Sequence, residues 1–165
     1  MKTHEGSGNN LELKEPTYDE INEIIKNMKS NKAAGPDEIL PEFIKNGGLI
    51  LKQKLHQLIL KIWKQAKMPC EWSEEILIPI YKKGDKKQCK NHRGISLLNI
   101  TYIIFAILLY NRLSELIEPE IGSYQMGFRP NRSTIDNIFM VRQIYEKCHE
   151  YNIDLHNIFI DFTSF

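Results

Sequence analysis

Net charge is nearly absent from this 165-residue sequence, in which 22 Lys and Arg face 21 Asp and Glu for a balance of +1. So even a total carries no signature of a nucleic-acid binder, and any basic surface has to be local. Glycine (9) and proline (7) are scarce, which excludes collagen-like and low-complexity chains. Cysteine is scarcer still: Cys70, Cys89 and Cys148 are odd in number and widely separated. That excludes a disulfide framework and points to a reducing compartment, cytoplasm or nucleus. Cys89 and His92 have the short spacing of a zinc half-site, but no second pair completes it. A secretory signal is missing too, because the amino terminus has no apolar segment. The most apolar run, 100–110, is about half of the roughly 20 residues that a membrane span needs. It reads as a core helix, and an intracellular protein with no transmembrane segment is expected.

What remains is a sequence 42% hydrophobic and 26% charged, enough for one real core. Residues 1–16 are polar and read as a flexible leader, with a single domain over 17–165. Thr17-Tyr18-Asp19-Glu20 has the form of a capping box, and Ile21, Ile24, Ile25 and Met28 follow at helical spacing. Gly35 and Pro36 break this helix. A short helix is predicted over 41–45 and a longer one over 49–66, with Leu51, Leu55, Leu58, Ile62, Trp63 and Ala66 on one face. Residues 74–81 read as a strand held to an edge or hairpin end by Pro79, which cannot donate to a ladder. A turn at Lys83-Gly84-Asp85 lets 93–97 return alongside. Helices follow over 99–117 and after Ser133, the latter carrying Ile138, Phe139, Ile144 and Tyr145. The alternation of Ile158 and Ile160 with Phe159 and Asp161 predicts a late strand. The class is α+β, mostly helical with one basic β-hairpin.

Three groups of residues carry chemistry. Between Lys82 and Arg93 the sequence KKGDKKQCKNHR holds six cations against Asp85 alone. It reads either as a solvated loop or as a phosphate-contacting finger, in which Lys supplies point charge and Arg a bidentate fork. The loop GFRPNRST, 127–134, carries Arg129 and Arg132 beside a helix start, suited to phosphate or sugar contacts or to pairing with a surface acid. Asp161 lies within an apolar strand, where it is either an acid on the polar face or a magnesium ligand.

Taken in order, KAAGPDEI (32–39), ILIPIYKKGD…NHRGISLLN (76–99), YQMGFRPNRSTID (124–136) and IFIDF (158–162) resemble successive blocks of the reverse transcriptases of non-LTR retrotransposons. The resemblance spans about 16–162. It implies the fingers and partial palm of a right-handed nucleic-acid polymerase, an RNA-directed DNA polymerase that takes an RNA template, a DNA primer and deoxynucleoside triphosphates. By that resemblance Lys82, Lys83 and Arg93 hold the triphosphate, and Gln125, Gly127, Phe128 and Arg129 lie near the template and nucleotide pocket. Asp161 and the main-chain carbonyl of Phe162 bind catalytic metal, two Mg²⁺ ions in the intact family, for an in-line displacement.

The sequence departs from the family in three places. Phe165 stands where the pattern after the aspartate has Ala. Ile103 and Ile107 occupy positions where the family often has Lys. The F/Y-x-D-D hairpin that supplies the remaining carboxylates is not among these 165 residues. One carboxylate is too few hard ligands for two magnesium ions, so this polypeptide by itself is expected to be inactive. The alternatives are a non-catalytic module that binds RNA or RNA–DNA hybrid, and an unused relic.

Overall fold

The computed structural model describes residues 14–161, and about half of the chain is helical, with a two-stranded antiparallel hairpin. The chain divides into two compact units, Met1–Ser114 and Glu115–Phe165.

In the first unit, helix α1 (Tyr18–Asn27) starts from the expected capping box. Thr17 Oγ1 accepts from the Glu20 N–H at 3.2 Å, and Glu20 Oε2 accepts from the Thr17 N–H at 3.4 Å. These two reciprocal bonds satisfy donors that a helix start leaves orphaned. Ile21, Ile24 and Ile25 then turn one face inward. Helix α2 (Pro41–Asn46) is drawn to the end of α1 by Lys45, whose Nζ donates to the Met28 carbonyl at 2.8 Å, and by the bond from the Asn31 N–H to Glu42 Oε1.

Helix α3 (Leu49–Gln65) ends where Ala66 adopts a left-handed conformation at φ 48°. Its buried positions are Leu55, Ile59 and Ile62, spaced four and three residues apart. This corrects the predicted face at Ala66, which is the exposed cap beyond the helix, and in two further places. Leu51 is exposed because its side chain folds back over Gly47 instead of entering the core. Ile59, which the prediction missed, is wholly buried at the centre.

A 3₁₀ turn at Cys70–Ser73 inserts Trp72, whose ring meets Tyr102 edge-on at 5.6 Å and Phe105 at 5.9 Å. Strands β1 (Ile76–Tyr81) and β2 (His92–Leu97) pair antiparallel, with Ile76 opposite Leu97 and Tyr81 opposite His92. Helix α4 (Ile100–Ile117) closes the core with Ile100, Ile104, Phe105 and Leu108. Its extent matches the predicted 99–117 to within one residue. At 18 residues and mean hydropathy 1.5, it reaches the lower limit for crossing a bilayer by length and composition alone. Its inward stripe packs against α1, α3 and Trp72 in one cluster of buried residues.

At the junction of β2 with α4, backbone packs directly on backbone. Asn99, 5% exposed, accepts from the Asp37 N–H at 3.2 Å and donates to the Glu71 carbonyl at 2.8 Å. Gly35 lies against the same backbone, so close that a Cβ on it would stand 2.4 Å from the Leu98 carbonyl atoms.

Arg112, farther along α4, gathers three other segments. It pairs with Glu20 at 2.8 Å, donates to the Lys14 carbonyl, and stacks 4.9 Å from the Trp63 ring centre. The hydrogen bond from Arg112 holds the Glu20 carboxyl below its ordinary value, outweighing the opposite effect of burial. A depressed carboxyl contributes stability that is fully present above its ordinary pKa and is lost as pH falls through the folded value. Stability measured by circular dichroism should therefore fall below about pH 4.5, with Glu20→Gln less stable at neutral pH and shallower in its acid limb. An acid limb unchanged in the variant would show that this pair carries none of the pH dependence.

In the second unit, helix α5 (Thr134–Glu150) begins at a second capping box. Ser133 Oγ accepts from the Ile135 N–H at 3.1 Å, and Asp136 Oδ2 accepts from the Ser133 N–H at 3.1 Å. No residue of this helix is buried, so the apolar Ile138, Phe139, Ile144 and Tyr145 that it carries stand in solvent. The late strand is corrected as well. Residues 153–161 belong to neither helix nor strand, and Ile158, Phe159 and Ile160 are exposed. Alternation favours an extended chain, but a strand also needs a partner to receive its N–H and C=O groups, and no ladder forms here among the described residues.

Candidate functional site

The basic hairpin is built by its turn. Gly84 adopts φ +88°, open to glycine at little steric cost. Around it, the Lys82 N–H donates to the Asn91 carbonyl at 2.8 Å and Tyr81 Oη donates to the Gly84 carbonyl at 2.7 Å. The Asn91 amide donates to the Asp85 carbonyl at 2.8 Å, and a His92 ring nitrogen lies 3.1 Å from the Gln88 carbonyl oxygen. This internal network gives the ten-residue connection a definite shape without a core beneath it.

Asp85 decides the electrostatics of the hairpin. It is the one acid in 82–93, and its carboxylate accepts from the Lys87 backbone N–H at 3.0 Å. None of the ion pairs formed among the described residues includes Lys82, Lys83, Lys86, Lys87, Lys90 or Arg93. Lys86 lies 5.4 Å over the Tyr81 ring, and Lys82, Lys83 and Arg93 are exposed. Register places Arg93 opposite Ile80. Cross-strand partners share a face, so its side chain emerges beside Ile76, Ile78, Ile80 and Ile95. The three sequence-predicted phosphate contacts thus share one hairpin, and none of them enters an ion pair among the described residues.

The loop 118–129 has a different character. Arg129 was expected to project from it, and instead its side chain is 7% exposed and turned inward. Its Nη2 pairs with Glu118 Oε1 at 2.5 Å, while Nη1 donates to the carbonyls of Gly122 at 3.0 Å and Gln125 at 3.2 Å. That hydrogen bond is the main reason the Glu118 carboxyl sits below its ordinary value, with charge from Arg129 and Arg132 acting the same way. Arg129 is therefore the clasp of the loop, and Arg132 is the exposed guanidinium. Gln125 Nε2 donates to the Gly127 carbonyl at 3.4 Å. Phe128, at φ 60° and fully exposed, presents a bare aromatic ring from a backbone conformation uncommon for a bulky residue.

Asp161 is exposed at the end of the described residues, and Phe162 lies outside them. No group of three or more His, Cys, Asp or Glu among the described residues is arranged to hold a metal ion. A lone exposed carboxylate does not fit a two-magnesium centre, which needs several hard ligands. The hollows of the first unit lie elsewhere, one beside Glu20, Asn27 and Asn111 and another beside Trp63, Met68 and Phe105. Asn99 and Arg112, which position the hairpin and helices, were not singled out by sequence, and Gly35 was read only as a helix breaker. For Asn99 the available signal was a lone amide between an apolar strand and an apolar helix.

Comparison with known proteins finds similarity to proteins of mobile elements. It is 28% identical over 145 residues to the Transposon TX1 uncharacterized 149 kDa protein of Xenopus laevis, a match covering 88% of this chain and 11% of that protein. It is 25% identical over 150 residues to the Retrovirus-related Pol polyprotein from type-1 retrotransposable element R1 of Bradysia coprophila, covering 86% of this chain and 15% of that one. The chain therefore spans only a small part of the curated relatives it matches. No protein-family model matches it. Its homologues are proteins of non-LTR retrotransposons, as the ordered motifs implied.

Proposed function

We propose that these residues form the fingers and the start of the palm of a reverse transcriptase domain, the region that grips an incoming nucleotide and its template. The observation that carries this reading is the succession of four motif blocks in one order across a stretch that both retrotransposon relatives also cover. In this reading Lys82, Lys83 and Arg93 bind the triphosphate, the first two as point charges and the third as a planar fork. Gln125, Gly127 and Phe128 lie along the template, with Arg129 holding their loop in shape. Asp161 contributes one metal-binding carboxylate, with the Phe162 carbonyl beside it, to a centre that needs others. Template RNA, DNA primer and deoxynucleoside triphosphates are the proposed partners.

Because a single carboxylate lies at that position within the 165 residues, a polypeptide of these residues alone should extend no primer on an RNA template in the presence of magnesium. Synthesis by the polypeptide that Asp161→Asn abolishes would overturn this expectation.

A second reading, nucleic-acid binding without catalysis, is favoured by the cations of the hairpin, which enter no ion pair among the described residues. Replacing Lys82, Lys83 and Arg93 together by alanine should weaken RNA binding and flatten its dependence on salt by about 0.7 in log–log slope for each lost contact to a single strand. Salt-insensitive binding that the triple variant leaves intact would remove the hairpin from both readings.

A further inference from the structure

The sequence holds a second concentration of positive charge, larger in extent than the hairpin. From 43 to 70 there are six lysines (Lys45, Lys52, Lys54, Lys61, Lys64 and Lys67) and no Asp, Glu or Arg. This stretch and 82–93 together contain 12 of the 22 cations and one of the 21 acids, which leaves 10 cations against 20 acids in the rest of the chain. The near-neutral total conceals a strongly polarised protein.

Helix α3 displays this charge on one side. With Leu55, Ile59 and Ile62 committed to the core, the opposite face begins with Ile50 in the first turn and continues as Gln53, Lys54, Gln57, Lys61, Lys64 and Gln65, all exposed. From Gln53 to Gln65 every side chain on it is an ammonium or a carboxamide, so this stretch can donate hydrogen bonds throughout and carries no negative charge. Lys54 to Lys64 spans about 15 Å of helix axis. One pairing is present: Lys64 Nζ lies 3.1 Å from Glu15 Oε1, both more than half exposed, an interaction of small energy that a stronger anion displaces. Lys54 and Lys61 pair with no carboxylate among the described residues.

We infer that the outer face of α3 is a second nucleic-acid contact surface, which takes the phosphodiester backbone of a duplex. The residue types select this partner. Point charges and amides at regular intervals suit phosphate oxygens, which position a duplex without reading its sequence. The face has no aromatic residue on which unstacked bases would lie, which separates it from a single-strand platform. Insertion into a membrane requires an amphipathic helix with a free apolar face, and the apolar face of α3 is occupied by the core.

The inference stands independently of the hairpin, and one titration separates the two. The 165-residue chain is titrated with a mixed-sequence RNA–DNA duplex of roughly 20 base pairs, and with DNA duplex of the same sequence, at several salt concentrations. Replacing Lys54, Lys61 and Lys64 by Gln should make the log–log salt slope shallower by about 2 to 3, and affinity at low salt at least roughly tenfold weaker, for both duplexes. The alanine variant of Lys82, Lys83 and Arg93 is measured in parallel, with thermal melts confirming that each variant folds. Loss confined to the hairpin variant would overturn the inference about α3 and leave the hairpin reading intact. Loss confined to the α3 variant would do the reverse. Equal dependence on these lysines for binding to phosphatidylserine vesicles would overturn the choice of partner.

Discussion

Gly35→Ala should cost about 3–5 kcal/mol of stability, or abolish folding outright. The new methyl would stand 2.4 Å from the Leu98 carbonyl carbon and oxygen and 2.7 Å from the Asn99 nitrogen, all of them backbone atoms that cannot rotate away. Ordinary contact requires the two segments to part by about 1 Å, at the price of roughly 1–3 kcal/mol in overpacking strain. Parting also stretches the bonds of the buried Asn99 to the Asp37 N–H and the Glu71 carbonyl. A buried polar group left unpaired adds about 1–3 kcal/mol. Urea unfolding monitored by circular dichroism measures the loss directly. Gly48→Ala is the control, since its Cβ would meet nothing within 4 Å. Similar stability in both variants would mean that the contact at Gly35 relaxes freely.

Ile59→Ala should cost about 3–4 kcal/mol, by the transfer of buried methyl groups and the cavity they leave. Ile59 is 0% exposed, in the middle of the inward face of α3, within the cluster that also holds Ile25, Ile104 and Leu108. Those neighbours lie on α1 and α4, so partial collapse around the hole requires two other helices to shift together. Ile59→Val, which removes one methylene, should cost about 1 kcal/mol. Leu51→Ala in the same helix should cost less than about 1 kcal/mol, because Leu51 already faces solvent. Equal losses at Ile59 and Leu51 would place the core on a different face of α3.

Local chemistry made much of this architecture legible in the sequence. Thr17 and Ser133 marked two helix starts because a capping box is complete within four residues. The hairpin was visible because Pro79, Gly84 and the apolar runs flanking them act over short range. Contacts between distant segments were not visible. Gly35 looked like a helix breaker, since nothing nearby in sequence reveals that the backbone at Leu98 packs on it. Arg129 read as a projecting cation because its three acceptors, Glu118, Gly122 and Gln125, are defined by the path of the loop. In α5 and in 153–161, hydrophobic patterning announced burial, and the described residues offer no surface that provides it. The candidate site was legible in the order of its motifs, and its electrostatics only in three dimensions, once Asp85 was seen to accept from a backbone amide without entering an ion pair with the surrounding cations.

Pro79 has a consequence for how the protein behaves in concentrated solution. The bond between Lys82 and Asn91 sets the parity of the ladder, so Ile76, Ile78 and Ile80 bond toward β2 while Leu77, Pro79 and Tyr81 direct their backbone outward. The free margin of β1 therefore lacks a donor at its midpoint, and a foreign strand attempting to zip onto it meets the proline ring there. The margin of β2, with Gly94 and Ser96, has no such interruption. Unwanted cross-β growth from this hairpin is thereby confined to one side, a form of aggregation control supplied by a single ring in an isoleucine-rich strand.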